Sequence, residues 1–245
     1  MQTKWLPKSF KKVAVKHNLT LPAYTIDLFD GDLNLSTTLP VFTRNYQFPA
    51  NYQVAGPIFA NLKKEIPTEI QKVITEAKAA GKQVVYLALG SSGNKKLAIK
   101  LLNYFAKTDF IVIAPLAVYF KDDLRAWPEN IYLVDWLPAL AVSQQVDFSV
   151  IHGGEGTVQT ACAAGKPFIG IGLQYEQEIN VRFCETFGNA VSLAPNKVND
   201  TSLTEAIEKI SEATVKEKAT ELEVEMASLN GAKKAAKIIV ATYLK

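Results

Sequence analysis

The chain has 245 residues, 48% apolar and 21% charged, so it can bury at least one full core and is near the upper limit for a single one. Its 27 Lys and Arg against 24 Asp and Glu leave a charge of only +3, with no basic cluster interleaved with aromatics, which argues against a phosphate-tracking surface and against nucleic acid as a partner. No apolar run is long enough to cross a bilayer, and the opening Met1-Gln2-Thr3-Lys4-Trp5-Leu6-Pro7 has no continuous apolar core, so neither a transmembrane segment nor a leader is expected.

Residues 1 to about 66 give one amphipathic helix, with Phe10, Val13, Ala14 and His17 on a shared face, and two short strands around Leu33 and Val54. These pieces cannot make a core alone, and residues 34–57, rich in Pro, Asn and Thr, read as a loop-rich connector. From Gln83 onward, β-rich runs alternate with helical patterns. Strands are expected at 83–89, 109–114, 131–136, 147–151, 167–172 and 190–193. Among the intervening helices, 94–107 carries Leu97, Leu101, Leu102 and Phe105 on one face, and 174–187 carries Ile179, Phe183 and Phe187. Continuous apolar strands such as Val84-Val85-Tyr86-Leu87-Ala88-Leu89 imply burial on both faces, hence an α/β fold with a parallel, doubly wound sheet. Helices follow at 201–211, 216–229 and 232–244; the two Lys/Arg-flanked stretches near the C-terminus read as solvated faces, with contact to a membrane surface as the alternative. Cys162 and Cys184 fall within predicted helices without metal-ligand spacing and read as buried thiols, which fits a reducing cytoplasm.

The most informative stretch is Ser149-Val150-Ile151-His152-Gly153-Gly154-Glu155-Gly156-Thr157, a buried strand ending in a glycine-rich turn that opens a helix. Glycines let backbone N–H groups approach a diphosphate, the helix N-terminus favours negative charge, and His152 can add a hydrogen bond or a positive charge. Leu89-Gly90-Ser91-Ser92-Gly93 repeats the arrangement after the first main strand; it reads either as a phosphate loop or as a helix cap built on Ser92 or Asn94. Trp136 stands where a strand's carboxyl end would face the ligand crevice, to stack on a base or to fill core volume. Downstream of Gly165-Lys166-Pro167, Glu176 and Gln177 open a helix, where they could hold vicinal hydroxyls or complement the helix dipole.

In order and spacing, Trp136-Leu137-Pro138, His152 to Thr157, Gly165-Lys166-Pro167 and Glu176-Gln177-Glu178-Ile179-Asn180 resemble the signature region of the UDP-glycosyltransferase superfamily, most closely its bacterial macrolide-type members. The resemblance implies the C-terminal half of a GT-B fold, a Rossmann-like domain that binds an activated sugar without metal or other cofactor. Residues 1–57 would then be a remnant of the N-terminal domain with its linker, and 58–245 the nucleotide-sugar domain. By the same resemblance Trp136 stacks on uracil, Ser91, Ser92, His152, Gly153, Gly154, Gly156 and Thr157 form the diphosphate cradle, and Glu176 and Gln177 grip the sugar. Ala139 and Thr160 depart from the pattern, which has glutamine and a ribose-bridging glutamate there, so dTDP- or GDP-sugars stay open beside UDP-sugars. The implied function is inverting transfer of a hexose to an acceptor, with no catalytic base in this chain and the acceptor site supplied by a partner domain, a subunit or a second copy. A non-catalytic sugar-nucleotide-binding subunit or sensor and a UDP-sugar epimerase are the alternatives.

Overall fold

A computed structural model describes residues 7–59, 64–121, 123 and 125–244. The Met1–Leu6 opening, read above as lacking a leader core, therefore lies outside the described residues. Helix α1 (Lys8–Lys16) forms as expected, but of its apolar face only Ala14 is buried; Phe10 and Val13 are about half exposed, and His17 is an exposed C-cap rather than a packed side chain. A 3-10 turn (Thr25–Phe29) leads to β1 (Asn34–Ser36), α2 (Pro40–Thr43) and β2 (Tyr52–Val54), and β1 pairs with β2 in parallel, Asn34 opposite Tyr52. The connector expected at 34–57 is thus ordered structure. Its turn-forming residues organise it: Pro40 opens α2, while the Asn34 and Asn51 amides both donate to the Asp30 carboxylate and the Gly31 carbonyl.

The main body begins with α3 (Thr68–Ala79), which the sequence reading did not assign and which buries Ile70, Ile74 and Ala77 at helical spacing. Then come β3 (Val84–Ala88), α4 (Lys95–Phe105), β4 (Ile111–Ala114), a 3-10 turn (Ala117–Phe120), β5 (Ile131–Leu133), α5 (Ala139–Ser143) and β6 (Phe148–Ile151). They are followed by α6 (Glu155–Ala163), β7 (Phe168–Gly170), α7 (Tyr175–Phe187), β8 (Ala190–Ser192), α8 (Asp200–Ile210), α9 (Ala213–Ser228) and α10 (Gly231–Tyr243). All six expected strands are present, each shorter than expected; β5 and β7 keep only half of the expected 131–136 and 167–172.

The six strands form one parallel sheet in the order β5-β4-β3-β6-β7-β8, so the chain runs outward through β4 and β5 and then returns to lay β6 against the other side of β3. This is the strand order of a dinucleotide-type doubly wound sheet, whose ligand crevice lies where the order reverses. Every residue of β3, β4, β6 and β7 is buried, as their largely apolar character favours, with Ser149 of β6 the one polar side chain among them, and Phe105, Leu101, Leu102 and Phe168 fill the surrounding core. Cys162 and Cys184 are fully buried free thiols with their Sγ atoms 3.8 Å apart. Met1–Gly56 and Gly231–Lys245 form one compact unit and Pro57–Asn230 another, so α10, which the sequence reading groups with the sheet, belongs with the first segment. Among the described residues no helix is long and apolar enough to cross a membrane.

Candidate functional site

Beyond β3 and β6, at the reversal of strand order, the two glycine loops meet. Gly90 takes a left-handed conformation (φ 57°) and Asn94 caps α4, its side chain accepting from the Leu97 N–H at 2.9 Å. The cap reading of this loop therefore holds for Asn94. On the β6 side Gly153 is also left-handed (φ 81°), and Gly154 is the N-cap of α6, with no side chain to close the helix end.

His152 lies between these loops. A Cβ on Gly90 would stand 2.5 Å from its Cε1, and a Cβ on Gly154 would stand 2.5 Å from its Nε2, so the imidazole occupies space that only two glycines leave. The residue is 8% exposed, and Nδ1 is buried without a hydrogen bond of ordinary geometry. Burial pushes its pKa below the ordinary value, opposed in part by the Ala88 carbonyl and the Glu176 carboxylate.

In the first turns of α6, Thr157 Oγ1 donates to the Gly154 carbonyl at 2.8 Å and Thr160 Oγ1 to the Gly156 carbonyl at 2.7 Å. Both hydroxyls have thus spent their proton on the helix and offer only lone pairs to a ligand. Trp136 lies three residues beyond the end of β5 and is 50% exposed, which removes the core-filling reading; Lys64 Nζ stands 4.8 Å from its ring centroid.

Ser91, Trp136, His152, Gly154, Gly156, Thr157 and Thr160 line a single cleft of about 430 Å³ together with Gly90, Glu155 and the stretch Leu137 to Leu140, which includes Ala139. Ser92, Gly153, Glu176 and Gln177 are not among the residues that line it. Gln177 is 4% exposed; its amide donates to Ser92 Oγ at 2.9 Å and its carbonyl accepts from the Leu173 N–H at 2.9 Å, so Ser92 and Gln177 bond to each other. Glu176 accepts from the Asn180 amide, which also donates to the Gly153 carbonyl at 3.2 Å. Gly153 packs beneath Val181 and Gln177. These contacts make the start of α7 a brace for both loops.

Residues 99–242 match the family described as Erythromycin biosynthesis protein CIII-like, C-terminal domain. The chain belongs to this family of glycosyltransferase C-terminal domains. The EryCIII-like domain is 30% identical over 181 residues to a PGL/p-HBAD biosynthesis glycosyltransferase of Mycobacterium tuberculosis, an alignment that covers 74% of this chain and 41% of that protein. It thus spans less than half the length of such curated relatives. In fold it is similar to the glycotransferase of kitacinnamycin (TM-score 0.71, 21% identity, 95% of this chain and 60% of that one). It is also similar to a spinosyn rhamnosyltransferase, SpnG, complexed with thymidine diphosphate (TM-score 0.68, 16% identity, 93% and 60%). The GT-B architecture expected from the sequence is the fold of these neighbours.

Proposed function

We propose that the EryCIII-like domain holds the donor of a glycosyltransfer reaction, a nucleoside-diphosphate sugar and in the first place a UDP-hexose. The observation that carries this reading is the convergence of both glycine loops, His152 and the exposed Trp136 on one cleft at the point where strand order reverses. In this reading the Trp136 ring stacks on the base, the Ser91 loop and the Gly154–Thr157 turn receive the diphosphate, and the anomeric carbon is presented outward to the acceptor. An incoming hydroxyl displaces the diphosphate from the opposite side, inverting the anomeric centre. Charge builds on the leaving phosphate oxygens, where backbone donors and a protonated His152 stabilise it without rearrangement. No metal enters this proposal.

The two buried, unlinked thiols fit a reducing compartment, and we place the protein in the cytoplasm on that basis. The relatives' greater length supports an acceptor-binding partner domain or subunit, with a homodimer as the other arrangement.

Calorimetry in the presence of a chelator tests the donor assignment. UDP and a UDP-sugar should bind in the micromolar to millimolar range, and Trp136→Ala should weaken both by about 1–3 kcal/mol, the worth of one base–aromatic stack. A silent Trp136→Ala in a folded protein, or UDP binding no tighter than free glucose, would remove the assignment. Running dTDP alongside reads the influence of Thr160, whose single hydroxyl cannot bridge two ribose hydroxyls as a carboxylate does.

A further inference from the structure

Tyr119 lies in the 3-10 turn after β4, 29 residues from the Gly90 loop, in no motif of the sequence. Its hydroxyl donates to the Gly90 carbonyl, and a Cβ on Gly93 would stand 2.6 Å from that same hydroxyl, so the phenol is seated across the whole Gly90–Gly93 turn. On the other side of the turn, the Gln177 amide holds Ser92 Oγ. The ring is half-buried, and this burial raises the phenol's pKa, so the hydroxyl keeps the proton it donates.

Gly90 and Ser91 line the cleft, so a carbonyl in this turn is a liability toward an anion. A glycine can turn its peptide over at little cost, and each turnover would exchange an N–H for a C=O beside the phosphates. We infer that Tyr119 is a positioning residue for the donor diphosphate: by capturing the Gly90 carbonyl it fixes the peptide orientation of the Ser91 loop in its anion-binding state. The inference rests on the donor reading above. Because the bond acts on the loop and not on the base, its loss is felt by diphosphates and not by nucleosides.

The test compares the full chain with Tyr119→Phe, titrating UDP, dTDP and uridine by calorimetry and following the melting temperature. Amide hydrogen exchange across residues 90–93 supplies a second measurement. The expected result is a three- to tenfold loss of affinity for both diphosphates, unchanged uridine affinity, a melting temperature within a few degrees and faster exchange in the loop. Unchanged diphosphate affinity, or equal losses for uridine and UDP, overturns the role of Tyr119 while leaving the donor reading intact. Failure of the native chain to bind either diphosphate overturns the donor reading and this inference with it. If Tyr119→Phe fails to fold, exchange in the native chain decides: loop amides that exchange as freely as an exposed turn overturn the clamp, and protected ones support it.

Discussion

At the level of single residues, His152 has a measurable signature. Burial holds its folded pKa below the roughly 6.5 of a free imidazole. Between those two values the unfolded chain binds more protons than the folded one, so this contribution to stability is complete above about pH 6.5 and is lost as the pH falls from there through the folded pKa. The melting temperature of the ligand-free chain should therefore fall on acidification below pH 6.5, and His152→Gln should flatten that part of the profile in scanning calorimetry. A bound diphosphate reverses the electrostatics. Its charge raises the pKa, so UDP binding should take up protons and tighten from pH 8 to pH 6, an uptake read from binding enthalpies in buffers of different ionisation heat. UDP affinity that is flat in pH would leave His152 as a turn residue only.

At the level of elements, what the sequence made readable is what one continuous segment encodes. The β6–turn–α6 unit places His152, Gly154, Gly156 and Thr157 within a few residues of each other, and short, largely apolar runs marked every strand of the main sheet. Ser92 and Gln177 were read as two ligand contacts, and their mutual bond spans 85 residues, so it exists only once strand order is known. Tyr119 escaped notice for the same reason. Helix α3 carries Ile70, Ile74 and Ala77 at helical spacing and was legible in principle, while the short strands expected around Leu33 and Val54 are β1 and β2; what the Pro, Asn and Thr of 34–57 hid was the α2 turn and the parallel pairing of those two strands. At the start of α6 the glycines separate two roles. A Cβ on Gly154 meets the imidazole, whereas a Cβ on Gly156 meets nothing within 4 Å. Gly156→Ala should therefore raise thermal stability, by up to about 1 kcal/mol from helix propensity, while weakening UDP because the methyl enters the cleft. A variant that is more stable and binds UDP equally well would show that no ligand approaches this turn.

At the level of the whole molecule, a hydroxyl acceptor needs a base within hydrogen-bond reach. The chain has two histidines; His152 is enclosed between glycines, and His17 is an exposed helix cap in the other compact unit. The purified chain should accordingly hydrolyse labelled UDP-sugar slowly at most and transfer nothing to added acceptors until a partner supplies the base; brisk transfer by a monomer would show that the chain carries its own. The strand order has a further consequence, for synthesis. β3 cannot complete its pairing until β6, some sixty residues later, has left the ribosome, so the middle of the sheet and the nucleotide cleft come into being in the same event. A ligand gripping the ends of those two strands ties together the two halves of the sheet across some sixty residues of sequence, so its binding to the folded state should slow global unfolding as well as quieting its own loops.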